Sequence, residues 1–230
     1  MEKCMIDSVL LKLAVTAENI SIYLKRYLRR KYVNNFLVKY NLQDGKATKK
    51  SNIHYNPYEG TNVMLIEQLI QSGEIQRTDK ILDIGCGAGI FLLYLADRGF
   101  KNLQGIEIDK GLLDVCRKNI IRYQNKSSIS GQSIDVFQGD ALTMDIDEDV
   151  ACFYLFNSFY DECTYLKWLE QVKASLHKKN RSIKIIVLFP TVASMGALRQ
   201  CSWLREKTRV LCKAQLCHRC VYFLIYESVG

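Results

Sequence analysis

An acid at position 83 stands two residues ahead of three alternating glycines, in the run Lys80-Ile81-Leu82-Asp83-Ile84-Gly85-Cys86-Gly87-Ala88-Gly89-Ile90-Phe91. Glycine lets a backbone turn tightly and lets a ligand lie against it with no Cβ between them. The apolar run before the acid reads as a strand. The pattern after Gly89 reads as a helix, whose free N–H groups point at whatever occupies the turn. A strand, loop and helix of this kind open a doubly wound α/β sheet, where ligands bind beyond the carboxyl ends of the strands. The dinucleotide fingerprint G-x-G-x-x-G would need a glycine at position 90, where Ile90 stands. Asp83 beside the loop repels a phosphate and suits an ammonium group. Other α/β proteins carry glycine-rich turns too, so the loop alone does not decide the ligand.

A second acid follows 24 residues later, Glu107 in Asn102-Leu103-Gln104-Gly105-Ile106-Glu107-Ile108-Asp109, which is the interval of one strand–helix–strand unit. A carboxylate at the tip of a second strand accepts both hydroxyls of a ribose. Asp109 reads as the cap of a helix through Leu112, Leu113, Val115 and Cys116. Ser133 to Gln138 reads as a third strand, turning at Gly139-Asp140-Ala141. Val150 to Phe156 is continuously apolar, as in a central parallel strand, and ends in Asn157-Ser158-Phe159-Tyr160.

The loop Asp83-Ile84-Gly85-Cys86-Gly87-Ala88-Gly89, followed at this spacing by Gly105-Ile106-Glu107-Ile108-Asp109, resembles motif I and the ribose loop of the class I S-adenosylmethionine-dependent methyltransferases. The resemblance runs over roughly residues 52–228 and is densest over 80–160. It implies an α/β fold, a doubly wound, mostly parallel seven-stranded sheet with the last strand antiparallel, preceded here by an N-terminal helical extension. It implies S-adenosyl-L-methionine as cofactor, held by Asp83, Gly85, Cys86, Gly87 and Gly89, by Glu107 with Ile108 at the ribose, and by Asp140 with Ala141 at the adenine edge. Asn157 and Tyr160 fall at the family's motif IV, beside the transferring methyl. There Asn157 would touch both cofactor and acceptor, and the aromatic ring would cover the acceptor. Amine-directed members often carry Asn/Asp-Pro-Pro-Tyr/Phe at that point. Here Ser158 and Phe159 replace both prolines, which leaves nitrogen and oxygen acceptors both open. A Tyr-Glu-x-Thr segment like Tyr58-Glu59-Gly60-Thr61 precedes motif I in a bacterial branch of the family. The resemblance places Tyr58, Glu59 and Thr61 near the methionine end of the cofactor or near the acceptor.

The remaining elements must hold these residues in place. Residues 6–40 read as one or two helices with a basic side (Lys25, Arg26, Arg29, Arg30, Lys31), which could lie on a membrane surface, dock a partner or pack on their own domain. Residues 41–56 are polar and read as a linker. Thr61 can cap a helix through Met64, Leu65, Gln68 and Leu69. A helix over Cys163 to Leu176, a strand over Ile183 to Phe189, a helix over Met195 to Leu204 and an antiparallel pair (208–216 and 221–227) complete the order. Cys212, Cys217, His218 and Cys220 form a Cys-x-x-Cys cluster without the second ligand pair of a structural zinc site, so no metal is expected.

With 230 residues and 48% apolar content, the chain has ample core for one domain. The expected division is an extension and linker over 1–50 and a methyltransferase domain over 51–230. No apolar run is long enough to span a membrane. The absence of a leader pattern and nine cysteines scattered through apolar runs fit a reducing cytoplasm. The net charge of +8 divides into +7 over residues 1–50, −8 over 51–170 and +9 over 171–230. The basic ends could serve nucleic acid or a phospholipid surface, though a solvated lysine-rich exterior is the plainer reading. The expected activity is methyl transfer to an N or O atom of a protein, glycan or small molecule. The alternatives are a catalytically inactive cofactor-binding module and an NAD-type oxidoreductase, the latter opposed by the glycine spacing.

Overall fold

A computed structural model describes residues 35–45, 58–216 and 219–229. The expected basic helix before residue 35 and Cys217 with His218 lie outside the described residues. In chain order the elements are α1 (35–40), α2 (Val63–Gln71), β1 (Lys80–Ile84), α3 (Ile90–Asp97), β2 (Asn102–Glu107), α4 (Lys110–Lys126), β3 (Ser133–Gln138), β4 (Cys152–Phe156), α5 (Glu162–Lys178), β5 (Lys184–Leu188), α6 (Val192–Gln200), β6 (Leu204–Leu216) and β7 (Arg219–Ser228).

The seven strands form one sheet in the order β3-β2-β1-β4-β5-β7-β6. β1 to β5 are mutually parallel, and β7 runs antiparallel to both β5 and β6. The order reverses between β1 and β4, the switch point at which such sheets leave a crevice beyond the strand ends. The central strands are buried on both faces, so their sequences are continuously apolar rather than alternating. On β4, Phe153 and Leu155 point to one face, while Cys152 and Tyr154 point to the other. The first face packs on Trp168, Leu169 and Val172 of α5 and on Leu198 of α6. The second packs on α2, α3 and α4.

α3 is buried over its whole length from Ile90 to Ala96. A helix apolar all round has no solvent face and needs cover on its outer side. Ile66 and Leu69 of α2 and Phe36 and Tyr40 of α1 supply it. The Phe36 ring lies 5.0 Å from that of Tyr94, and the Tyr40 hydroxyl donates to Asp97. Residues 35–40, the end of the expected N-terminal helices, therefore pack on their own domain.

Three expectations change in detail. Thr61 does not cap α2. Asn62 does, accepting from the Met64 N–H at 2.9 Å, and the Thr61 hydroxyl is engaged elsewhere. α6 starts earlier than expected, behind a capping box between Thr191 and Ser194, and ends at Gln200. β6 begins at Leu204, four residues early, because Leu204 to Glu206 already pair with Glu227 and its neighbours on β7.

Candidate functional site

The site is built on β1. Asp83 is paired in register with Gly105 of β2 on one side and Tyr154 of β4 on the other, so these three residues share one face. Gly105 carries no side chain there for a reason of space: a Cβ would come within 2.8 Å of both Cys86 and Leu92. The chain leaves β1 through Gly85, Gly87 and Gly89, whose φ angles of 79°, 53° and 78° are left-handed. The N–H groups of Gly85 and Cys86 both bond the carbonyl of Ile106, which locks the loop to the end of β2.

Glu107 turns back into this loop. Its carboxylate accepts from the N–H of Gly87 and from that of Asp109, each at 2.8 Å. Asp109 caps α4 as its spacing suggests, accepting from the Leu112 N–H. Burial raises the Glu107 carboxyl above the usual range, partly offset by these N–H donors. Asp83 is more buried, at 3% exposure. Burial pushes its carboxyl well above the ordinary range, and the Glu107 charge pushes it further. No N–H donor or cation meets the Asp83 carboxylate among the described residues. Two buried acids with no cation between them form a site that favours a positive ligand.

A narrow hollow with about 20 Å³ of free space lies beyond β1, lined by Asp83, Gly85, Cys86, Tyr58, Glu59 and Thr61 and by the rings of Phe91, Tyr154 and Phe156. The Phe91 and Tyr154 rings stack at 3.7 Å, and the Tyr154 hydroxyl pairs with that of Thr61 at 3.0 Å. Tyr154 and Phe91 are site residues that sequence reasoning missed. Each sits in an apolar run and reads as plain core. The register of Tyr154 beside Asp83 becomes visible only once the strands are paired.

Tyr58 lies over the loop. Its hydroxyl donates to Asp44 at 2.9 Å, and its ring presses on Gly87 so closely that a Cβ there would come within 2.1 Å of it. Burial raises its phenol pKa far above normal, with the Asp44 carboxylate adding to the effect. Asp140 stands beyond β3 with Ala141. Its carboxylate accepts from the Leu142 N–H at 2.8 Å, closing its own turn. Ile108, beside Glu107, is exposed. Asp83, Gly85, Cys86 and Tyr58 thus meet in the hollow, while Glu107, Ile108, Asp140 and Ala141 continue along the strand ends outside it.

Asn157 ends β4 with φ 56°, a left-handed conformation that asparagine tolerates. Ser158 donates to the Ile84 carbonyl at 2.6 Å and ties the end of β4 to the end of β1. Phe159 is buried under α5, and Tyr160 is 67% exposed. Phe189, after β5, is also left-handed (φ 52°), and its ring lies 5.7 Å from that of Phe156. Nothing in its sequence context marks Phe189 as part of this rim. Among the described residues no group of three or more His, Cys, Asp or Glu could hold a metal, and no helix is long and apolar enough to cross a membrane.

A family model described as a methyltransferase domain matches residues 81–188. Ribosomal RNA small subunit methyltransferase A of Alkaliphilus metalliredigens is 26% identical over 87 residues, covering 38% of this chain and 27% of that protein. The chain spans about a quarter of the length of such curated relatives. Among solved structures, a SAM-dependent methyltransferase from Methanosarcina mazei superimposes with a TM-score of 0.55 at 14% identity, covering 70% of this chain and 97% of that one. A putative tRNA (m1A22) methyltransferase of Streptococcus pneumoniae, solved in complex with S-adenosyl-L-methionine, gives 0.53 at 15% identity over 70% of this chain and 72% of that one.

Proposed function

We propose that this chain, which belongs to the class I Rossmann-like S-adenosylmethionine-dependent methyltransferases, binds S-adenosyl-L-methionine along the ends of β1, β2 and β3 and transfers its methyl group to a nitrogen or oxygen acceptor beside Asn157. One observation carries the reading. Asp83 and Glu107 are buried acids flanking a glycine loop, and Asp83 lacks any cationic partner among the described residues. A ligand with an ammonium group and ribose hydroxyls fits that donor-poor, acid-rich cradle, and Gly87 offers it a backbone without a Cβ.

Asp83 would ionise against the ammonium group. Glu107 would accept the ribose hydroxyls while keeping its two N–H donors, because a carboxylate has about four acceptor sites. Ile108 offers exposed apolar surface, and Ala141 a backbone N–H, for the base. The bound donor supplies a methyl group already activated by a positive sulfur. The chain then has to align the acceptor and exclude water rather than perform acid–base chemistry. Asn157 would orient the acceptor through its side-chain amide, and Tyr160 would cover it.

The names of the relatives make RNA the first acceptor class to test, and the basic excess at both ends of the sequence favours an anionic partner. Methyl transfer from labelled S-adenosyl-L-methionine into fractionated cell extract should label the RNA fraction. Label in protein or small molecules would move the acceptor to that class. Cofactor uptake with no labelled fraction would favour an inactive binding module, a reading to which Ser158 and Phe159 at motif IV lend support. Calorimetry should detect S-adenosylhomocysteine and not NAD, and Glu107→Ala should weaken uptake by about 1–3 kcal/mol.

A further inference from the structure

We infer that Tyr58 and Asp44 form an intramolecular plug, with the tyrosine seated on the glycine loop so that the cofactor must displace it. The inference rests on the cofactor reading above. The Tyr58 ring fills the space over Gly87, coming within 2.1 Å of where a Cβ would stand, and so covers the loop backbone that an incoming group would meet there. Its hydroxyl donates to Asp44 at 2.9 Å. Tyrosine and ligand therefore compete for the same loop surface. The hollow beside the ring leaves only about 20 Å³ of free space, room for about one water molecule, so the amino acid end of the donor does not fit there while Tyr58 stays in place.

Two anchors hold the covering segments. Residues 41–45 are tied down by Asn119, fully buried on α4, which accepts from the Gln43 N–H at 2.9 Å and donates to the carbonyls of Gln43 at 2.8 Å and Ala88 at 3.0 Å. The chain after Tyr58 is tied down by Thr61 on Tyr154. Between these anchors the latch is weak. Asp44 is exposed, and a hydrogen bond reached by solvent contributes little net free energy. The ring can thus leave without disturbing Asn119 or Thr61. Apparent cofactor affinity is lowered by the fraction of molecules in which the seat is open.

Calorimetric titration of the full chain with S-adenosylhomocysteine, comparing wild type, Tyr58→Ala and Asp44→Ala, tests this. Tyr58→Ala should bind about tenfold more tightly, as expected if the seat is closed in about nine molecules of ten. Asp44→Ala should shift affinity in the same direction by less, and its exposed position keeps the test alive if the tyrosine variant does not fold. Weaker or unchanged binding in the folded variants would overturn the plug and make Tyr58 a contact of the bound cofactor or a bystander. A readout without ligand separates the two layers. Amide exchange of the peptide containing Gly87 and Ala88 should accelerate in Tyr58→Ala, or in Asp44→Ala, and unchanged exchange overturns the plug. If no form takes up S-adenosylhomocysteine, the functional reading fails and the exchange result alone decides the plug.

Discussion

Asp83 lies at the centre of the sheet with its carboxylate facing a hollow, and burial together with the Glu107 charge raises its pKa. The sign of the consequence is definite. An acid whose folded pKa lies above its unfolded value destabilises the fold as pH rises through the folded value, and has little effect below about pH 4, where both forms are protonated. Asp83→Asn should therefore stabilise the ligand-free chain by about 0.5–2 kcal/mol at neutral pH and above, and thermal melts at about pH 4 and pH 8 should diverge accordingly. The same variant should weaken S-adenosylhomocysteine binding, since the charge that destabilises the empty site is the one the ammonium group needs. Wild-type binding should release protons, seen as a dependence of calorimetric heat on buffer ionisation enthalpy, and the variant should release fewer. Asn157 allows a second separation. Its φ of 56° costs an alanine about 1 kcal/mol and costs glycine nothing. Asn157→Gly should therefore be more stable than Asn157→Ala by about 1 kcal/mol, yet both should lose turnover if the amide orients the acceptor. Loss in the alanine variant alone would make the backbone, not the amide, the functional part.

At the scale of elements, the rim is assembled from strand ends whose register is set by the buried faces. Asp83 meets Tyr154 because β1 and β4 pair with Asp83 opposite Tyr154, and a one-residue slip would turn Tyr154 into the other core layer. The loops are then fastened across strands: Gly85 and Cys86 to Ile106, Glu107 to Gly87, Ser158 to Ile84. Asn119 performs the same service for the N-terminal cover. It is a buried polar residue on α4 that bonds three backbone groups, and its amide oxygen also accepts from Arg122 at 3.5 Å. Asn119→Ala leaves the Gln43 N–H and two carbonyls without their partner and should destabilise by about 1–3 kcal/mol. Amide exchange should show the loss concentrated in residues 41–45 and the loop after β1. A uniform loss across the sheet would mean that Asn119 supports the core rather than the cover.

For the whole molecule, charge is segregated: an acidic middle, which carries the cofactor rim, lies between strongly basic ends. Over the described residues many cations are already used. Lys178 and Lys179 pair with Asp145 and Asp149, Arg205 with Glu227, and Lys207 with Glu74. These exposed pairs add little stability. They also show that the basic excess available to a partner is smaller than the composition suggests. If RNA is the acceptor, its retention should fall about tenfold or more between about 50 and 200 mM salt, as counterion release requires when a few phosphates are neutralised. Binding insensitive to salt would remove a phosphate backbone from the contact. S-adenosylhomocysteine binding should change far less over the same range, because Asp83 and Glu107 are shielded from screening.

Much of this protein is legible in one dimension. The fold class follows from alternating apolar runs and helical periods. The parallel centre follows from the continuous apolarity of Val150 to Phe156. The proposed cofactor end of the site follows from Asp83, the three glycines and Glu107 one strand–helix–strand unit on. Those features are local, fixed by the conformational freedom of glycine and by the spacing of single elements. Other features depend on pairing across the chain and leave no local trace. Thr61 reads as a helix cap until Tyr154 is brought opposite it. Tyr154 and Phe91 read as core until the register sets them beside Asp83. Tyr58 reads as a residue for cofactor or acceptor, and its bond to Asp44, 14 residues away in sequence, is visible only in the fold. The sequence thus determined which chemical groups the rim would carry. Packing between distant segments decided which of those groups are free and which are occupied by the protein's own side chains.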